Sequence, residues 1–324
     1  MDFIALLVFI VVQILFIPLA IIGFILVAYK QMYVSKKLGV SASANEVING
    51  RWTMDVFGLR KDTASVKLNR VLPNGSVLGM WLFLFPSYLR YKISGKNKGY
   101  PSFSKPGEEG LSNIVIYRTA YFDNIINKSK DKVEQFVVLG AGFDTRCYGD
   151  LTNSNLKFFE LDQAKTQKFK IEHLKRAGID TSNVNYAEVD FSTEHWYEKL
   201  EKAGYDPGKK SIFLWEGVTL YLSEKDVRNT LKEIKEHAAS GSIIVADLYA
   251  KSFVTGEYAP GMKKAMKAQK ITDEEFGFGI DFSSDYENAL KTFLESENTK
   301  VGDTYFMGPK TKKGTYMVVA EINV

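Results

Sequence analysis

An alternation of two kinds of segment, which begins after residue 110, constrains the fold of this chain more than any other feature. Short runs rich in β-branched and aromatic residues are separated there by longer, amphipathic, lysine-rich stretches. Such a succession is typical of βαβ units, in which helices cover a largely parallel sheet. The predicted strands are residues 135–139, 157–161, 183–189, 211–215, 242–246, 300–307 and 315–322, and the predicted helices are residues 165–177, 196–203, 224–239 and 284–297. The short link between the last two strands predicts an open sheet of seven strands in which the last is antiparallel.

The composition is that of a folded protein, since 45% of the 324 residues are hydrophobic and 25% are charged. Cys147 is the single cysteine, and the three histidines have no acidic or cysteine partners at ligand spacing. We therefore expect no metal, and a reducing compartment. The formal net charge is +4, and the lysines are spread over the predicted helices instead of being clustered. This distribution favours the interpretation that they lie on solvated helix faces over nucleic-acid binding.

The N-terminal run 3–29 is almost wholly apolar, with Gln13 as its only strongly polar side chain. The run is longer than the roughly 20 residues that a helix needs to cross a bilayer. Three lysines follow it closely and Asp2 precedes it, so the positive-inside rule places the body of the protein on the cytoplasmic side. We predict a single-pass transmembrane anchor at residues 1–30.

A cleaved signal peptide is the alternative, because the Ala-Ser-Ala sequence at 42–44 resembles a cleavage site. Against it, the basic n-region is missing and the apolar run exceeds the usual stretch of about 7–15 residues. Three lysines also separate the run from that site. A buried helix of a soluble protein is the third interpretation.

A second apolar stretch, residues 77–89, carries Trp81, Phe83 and Phe85 and contains Pro86. It is too short to span a bilayer. The open interpretations are an interfacial helix, the lining of a lipophilic substrate entrance, and plain core packing.

Residues directly after the predicted strands are the candidates for function, because open α/β sheets bind ligands beyond the carboxyl ends of their strands. Glycines after the first strand permit a tight turn and a close approach of the backbone to a ligand. A carboxylate after the second can accept hydrogen bonds from ribose hydroxyls, and an acid with an aromatic ring after the third suits adenine. A further acid follows the fourth. In strand order these positions are Gly140 and Gly142, Asp162, Asp190 with Phe191, and Glu216.

Thr145 stands where a dinucleotide fingerprint requires a third glycine. This substitution disfavours pyrophosphate binding and favours a nucleotide-type cofactor that has no phosphate. An NAD-dependent oxidoreductase is therefore the less favoured enzyme class.

Four ordered segments carry a family resemblance. They are Arg-Thr-Ala-Tyr-Phe-Asp at 118–123, Val-Leu-Gly-Ala-Gly-Phe-Asp-Thr-Arg at 138–146, Phe-Glu-Leu-Asp-Gln at 159–163 and Trp-Glu-Gly-Val-Thr-Leu-Tyr-Leu at 215–222. They resemble the leucine carboxyl methyltransferase family and its bacterial relatives, which are class I S-adenosylmethionine-dependent methyltransferases. Ser-Ala-Ser-Ala at 41–44, with Arg51 and Asp62, is similar to the cap segment of that family.

The resemblance implies a Rossmann-like α/β domain at residues 111–324 that binds S-adenosylmethionine, with a helical cap on the substrate side at 31–110. The N-terminal anchor lies outside the family pattern. The aromatic insert at 77–100 is unlike the short protein-phosphatase-modifying members, so their substrate is not carried over.

The resemblance also implies roles for the candidate residues. The carboxylate of the methionine moiety would be held by Arg118 and its amino group by Glu216, the ribose by Asp162, the adenine by Asp190 and Phe191, and the turn would be shaped by Gly140 and Gly142. A surface ion pair with Asp123 or a neighbouring acid is the alternative for Arg118. Arg146 and Asp144 are predicted to support the turn, by pairing with each other or by capping the next helix.

A carboxylate acceptor needs no general base for methyl transfer, whereas a hydroxyl acceptor benefits from one. The candidates are Glu216, Tyr221 and His195, and Tyr221 has the alternatives of orienting the acceptor or packing in the core. We expect O-methylation of a small or lipophilic acceptor at a membrane surface. The alternative from another class is a membrane-tethered scaffolding protein without turnover.

Overall fold

The structure of the chain is a computed structural model that describes residues 2–191, 195–269, 275–309, 311 and 313–324. The helices are α1 (Asp2–Tyr29), α2 (Ser35–Leu38), α3 (Ala42–Val56), α4 (Thr63–Val71), α5 (Val77–Ser94), α6 (Ile114–Ser129), α7 (Ala164–Arg176), α8 (Trp196–Lys202), α9 (Glu224–His237), α10 (Lys251–Val254), α11 (Met262–Gln269) and α12 (Tyr286–Ser296). The strands are β1 (Gln135–Leu139), β2 (Lys157–Asp162), β3 (Val184–Glu188), β4 (Ser211–Trp215), β5 (Ile243–Tyr249), β6 (Lys300–Met307) and β7 (Met317–Asn323).

The seven strands form one sheet in the order β3-β2-β1-β4-β5-β7-β6. The pairs among β1 to β5 are parallel, and β7 runs antiparallel to both β5 and β6. The predicted class I methyltransferase sheet, with its last strand antiparallel, is confirmed. Strand order reverses between β1 and β4, which is where such sheets open a ligand crevice.

The sheet is buried on both faces, because a parallel sheet is covered by helices on each side. Every residue of β1 and β4 is buried. Alternate side chains enter two separate apolar clusters: Val137 and Leu139 pack in one, and Phe136 and Val138 in the other. The strands therefore read as continuous apolar runs, as the sequence predicted.

The cap helices pack against the turn that follows β1. The Ser41 hydroxyl caps α3 by accepting a hydrogen bond from the Ala44 N–H at 3.0 Å. A Cβ added at Gly142 would lie 3.2 Å from the Cβ of Ala44, so α3 begins directly over the glycine turn. Asp62 caps α4 through the Ser65 N–H and also accepts a hydrogen bond from Thr145 of that turn.

Helix α1 continues through a π-helical turn into α2, and the segment Asp2–Leu38 is long and apolar enough to cross a membrane. It lies antiparallel along α5, and the two backbones are in close contact where Gly23 meets Gly79. The second apolar stretch is thus the first part of α5, which packs between α1 and α3: Phe85 stacks on Phe16, and Trp81 packs on Trp52.

Candidate functional site

A cavity of about 780 Å³ lies at the carboxyl ends of β1, β2 and β4, where strand order reverses, and α3 forms part of its wall. Its lining includes all of the residues that the sequence predicted for binding and chemistry, except His195. They are Arg118, Gly140, Gly142, Asp162, Asp190, Phe191, Glu216 and Tyr221. The fold thus brings together positions up to about a hundred residues apart, and their individual roles stay predictions.

The glycine turn depends on backbone conformations and space that other residues lack. Gly140 has φ +70° and Gly142 has φ +45°, both in the left-handed region. A Cβ at Gly140 would lie 2.5 Å from a methyl carbon of Val218. The turn therefore requires glycine at 140 for its conformation and for its contact with the segment after β4.

Asp162 links the ends of β1 and β2. One carboxylate oxygen accepts a hydrogen bond from the Gly142 N–H at 2.5 Å, and the other from the Gln163 N–H at 2.7 Å. Burial raises the pKa of Asp162, although these backbone donors oppose the shift. Each carboxylate oxygen has a further acceptor site, so Asp162 can bind hydroxyls while it holds the turn.

Glu216, at the end of β4, lies among three arginines. Its Oε2 accepts hydrogen bonds from Arg51 at 3.0 Å and Arg146 at 2.6 Å, and its Oε1 is 3.3 Å from Nε of Arg118. Burial opposes ionisation, but the three guanidinium groups hold the pKa of Glu216 below its ordinary value. A carboxylate in this state is a poor general base, so the geometry favours Glu216 as a binding and positioning group.

Arg118 projects from α6 towards the end of β5. Its Nη1 donates to the Tyr249 hydroxyl at 2.8 Å and lies 3.3 Å from the Asp247 carboxylate. The alternative pairing with Asp123 is not the one observed, because Asp123 pairs with Arg60 and Arg146 instead. Arg118 is buried at the cavity wall rather than exposed on the surface.

Arg146 and Asp144 form the predicted pair at 2.5 Å, and the Asp144 carboxylate also accepts from the Arg146 N–H at 2.7 Å. Both side chains are buried behind the glycine turn. The guanidinium groups of Arg51 and Arg146 hold the pKa of Asp144 below its ordinary value, against the effect of burial. The pair stabilises the turn as ions.

The sequence did not predict the contacts that three residues, Arg51, Asp247 and Tyr249, make around the cavity. Arg51 of the cap pattern bridges Asp144 and Glu216, and it is only 1% exposed. Asp247 accepts the Gly217 N–H at 2.9 Å, and burial raises its pKa to about 6 in spite of Arg118. A lone acid inside the apolar run 243–249 is the signal that marks Asp247, and Tyr249 follows on the same face of β5.

Tyr221 lies on the apolar side of the cavity. Its ring centroid is 5.5 Å from that of Phe276, and Phe253 packs against Phe276 in turn. Leu111 and Ile114 also line the cavity. His195, the other base candidate, lies directly before α8 and outside this lining.

Buried polar atoms in the site lack hydrogen bonds among the described residues. They are Nε and Nη1 of Arg51, Nη2 of Arg146, and Nε of Arg118 with Oε1 of Glu216, although these last two atoms face each other as an ion pair at 3.3 Å. Such atoms carry a desolvation cost unless a ligand or water satisfies them. The unused donors of Arg51, beside the ion pair of Arg118 with Glu216, fit a zwitterionic ligand group such as the amino-acid part of S-adenosylmethionine.

Sequence comparison gives a family for the central part of the chain: residues 89–235 match the leucine carboxyl methyltransferase family. A protein of Mycobacteroides abscessus named "Putative S-adenosyl-L-methionine-dependent methyltransferase" is 31% identical over 48% of this chain and 52% of its own length. A similarly named protein of Streptomyces avermitilis is 27% identical over 52% of this chain and 61% of its own length. The chain spans about half the length of the curated relatives that it matches.

Among solved structures, the magnesium protoporphyrin IX methyltransferase of Synechocystis PCC 6803 is 9% identical, with a TM-score of 0.41 over 68% of this chain and 90% of that chain. A likeness at this level adds nothing to the assignment, which rests on the matched sequence. The resemblance predicted from the four motifs is confirmed, and residues 89–235 of this chain are leucine carboxyl methyltransferase-like.

Proposed function

We propose that this protein transfers a methyl group from S-adenosylmethionine to an oxygen atom of a small or lipophilic acceptor at a membrane surface. The observation that carries the proposal is the cavity at the strand reversal, which gathers the candidate residues of all four motifs. The family match and the names of the relatives support methyl transfer from S-adenosylmethionine, whereas the acceptor and the membrane surface belong to the proposal.

The charges around the cavity suit the amino-acid part of the cofactor. Arg51 and Arg118 would bind its carboxylate, and Glu216 would bind its ammonium group, which needs carboxylate or carbonyl acceptors. The Asp247 carboxylate pairs with Nη1 of Arg118 and so fixes the position of this guanidinium group. Because positively and negatively charged side chains alternate here, a bound zwitterion, which has no net charge, would leave the net charge of the site unchanged.

At the carboxyl end of β2, Asp162 would accept hydrogen bonds from the ribose hydroxyls, while its hydrogen bond from the Gly142 N–H holds the glycine turn. Asp190 and Phe191 follow β3 and line the same cavity, where they would contact the amino group and the face of adenine. The cofactor would thus extend across the ends of β4, β1, β2 and β3.

When bound, S-adenosylmethionine supplies a methyl group that passes in line to the acceptor oxygen, while the electron pair of the breaking S–C bond returns to sulfur. The residues of the chain have to position the acceptor and exclude water. Tyr221 lies on the apolar side of the cavity, where its hydroxyl would orient the acceptor. A carboxylate acceptor would need no base, which agrees with the low basicity of Glu216.

The acceptor side of the cavity favours an apolar molecule. Leu111, Phe253 and Phe276 line this side. Lys36 of α2, which follows α1 closely in sequence, also lines the cavity, so the cavity wall is connected to α1 by a short segment. Helix α1 is apolar enough to hold the protein at a bilayer. An acceptor that partitions into membranes therefore fits both features.

Two measurements test the proposal. Calorimetry should show binding of S-adenosylmethionine that Asp162→Ala and Arg118→Ala weaken at least tenfold, whereas Lys202→Ala on the exposed face of α8 leaves it unchanged. Incubation of the full chain with radiolabelled cofactor should then label a membrane-lipid or hydrophobic extract. Binding without transfer would favour the scaffolding alternative, and binding of NADH instead would favour an oxidoreductase.

A further inference from the structure

Helix α1 carries most of the large apolar side chains that the described residues leave exposed. Large apolar side chains along its length are between a third and three quarters exposed. They include Phe3, Leu7, Val11, Leu15, Ile22 and Phe24. Soluble proteins seldom expose continuous apolar surface on this scale, so the face needs an apolar partner.

Both ends of α1 are fastened to the same body. At its start, the Asp2 carboxylate pairs with Lys96 at 3.0 Å and with Lys98 at 3.4 Å. At its end, the Lys30 ammonium group donates to the Gly75 carbonyl at 2.9 Å. The helix therefore lies along the body instead of projecting from it.

Contacts between these ends follow an antiparallel register. The guanidinium of Arg90 lies 5.2 Å from the ring centroid of Phe9, and Phe85 stacks on Phe16 with centroids 5.1 Å apart. Positions 9, 16 and 23 of α1 face α5 at steps of seven residues, which is the spacing of one helix face, and position 2 continues the series to the lysines just after α5. One stripe of α1 is thus covered along the whole helix.

Helix α5 is in turn held by the body on its other side. Tyr88 packs edge-on against Phe57 with centroids 5.7 Å apart, and the Asn97 amide donates to the Phe57 carbonyl at 3.0 Å. If α1 crossed a bilayer in this arrangement, Arg90 and the edge of the body behind α5 would share its depth. Charged groups inside the hydrocarbon are strongly unfavourable, and so is the irregular backbone after α5.

We propose that α1, with the exposed edge of α5, lies in the plane of one leaflet, so that the start of α1 and the catalytic body are on the same side of the bilayer. This inference rests on the membrane association in the proposed function and replaces a spanning anchor by an in-plane one. The occupant is a bilayer with anionic headgroups, because exposed lysines border the apolar face, with Lys92 at one end and Lys37 at the other.

The arrangement places the cavity beside the bilayer. Residues Lys36, Gly39 and Val40, in and just after α2, follow α1 within about a dozen residues and line the cavity. The helical segment from Tyr29 to Lys36 advances by seven residue steps and covers about 10 Å. An acceptor dissolved in the same leaflet would therefore be within a short distance of the cavity wall.

The experiment uses the full chain with one epitope tag before Met1 and another after Val324, in sealed vesicles from expressing cells that expose the C-terminal tag. Added protease should remove both tags without detergent, while the protein stays with the vesicles at high salt. Protection of the N-terminal tag alone would show a spanning helix and overturn the in-plane inference, leaving membrane association and cofactor binding intact.

A pair of variants tests the face itself. Leu15→Glu with Phe24→Glu should move the protein to the soluble fraction, with cofactor binding measured by calorimetry unchanged, whereas Lys202→Glu should stay on the vesicles. A wild-type chain found in the soluble fraction as an oligomer would show that a second copy covers α1. That result would overturn the inference and the membrane part of the proposed function, but not the cofactor site.

Discussion

The guanidinium of Arg51, on a cap helix, donates to the carboxylate of Glu216, at the end of a central strand, across 165 positions of sequence and a distance of 3.0 Å. Arg51 also bonds Asp144 behind the glycine turn at 2.7 Å. One buried side chain therefore ties the cap to both strands that flank the crevice.

Replacement of Arg51 by alanine should destabilise the fold by about 3 kcal/mol, because it leaves two buried carboxylates with fewer cations. Cofactor affinity should fall as well. The matched control is Arg176→Ala, which breaks an exposed pair with Glu172 one helical turn away and should cost under about 0.5 kcal/mol. Denaturant unfolding of both variants checks this, and equal costs would contradict a special role for Arg51.

Gly140→Ala should abolish cofactor binding and destabilise the protein by more than about 2 kcal/mol, since the new methyl would strain the left-handed backbone and meet Val218. Gly178→Ala separates the two effects. Gly178 has φ +66°, but a Cβ there would meet no atom within 4 Å. It should cost only about 1 kcal/mol and leave calorimetric binding unchanged; a similar loss of binding in both variants would refute the proposed contact.

Asp247 should make stability depend on pH. Its pKa is raised to about 6, so between about pH 4 and pH 6 the folded protein holds a proton that the unfolded chain has released. Stability from this group is present at low pH and is lost as pH rises through that window. The loss amounts to about 3 kcal/mol, because a hundredfold difference in proton affinity separates the folded and unfolded states. Asp247→Asn keeps an acceptor but no proton to lose.

The difference in unfolding free energy between Asp247→Asn and wild type, measured from pH 4 to pH 7.5, should therefore grow in favour of the variant as pH rises. Other buried carboxyls titrate in both proteins and cancel in this difference. A difference that stays constant with pH would show that Asp247 does not titrate in this range.

Tyr221→Phe should slow transfer of radiolabel about tenfold, the effect of losing one hydrogen bond of about 1.4 kcal/mol in the transition state. Cofactor affinity should stay the same, because Tyr221 is assigned to the acceptor side. Tyr33→Phe, an exposed tyrosine outside the cavity lining, provides the control. Reduced cofactor affinity with normal turnover would reverse the assignment.

The sheet was predictable from the sequence because parallel strands covered on both faces appear as continuous apolar runs. Strands β1, β4 and β6 begin and end at the predicted residues. Strand β5 is longer than predicted and ends at Tyr249 instead of 246, because β7 pairs with it over its whole length. Asp247 interrupts the apolar pattern there, and its partners, Gly217 and Arg118, come from distant parts of the chain.

The candidate residues after the strands were predictable for a similar reason, since the carboxyl ends of parallel strands meet at one edge. The contacts of Arg51 were not predictable, because the same sequence pattern is compatible with many orientations of a cap helix on the sheet. Helix α1 shows the same limit: its sequence sets its length and apolarity, whereas the ion pairs of Asp2 with Lys96 and Lys98 set its direction.

The three arginines around Glu216 come from positions 51, 118 and 146, and the acid itself comes from 216. None of these pairs can form within a single supersecondary unit, so the charge arrangement of the cavity can be completed only when the cap has docked on the sheet. A fragment that begins at residue 111 would retain every strand and yet lack the Arg51 cation between Asp144 and Glu216. Under the proposed function the sheet alone is therefore not the binding unit, and fragments used to map the proposed cofactor site have to include α3.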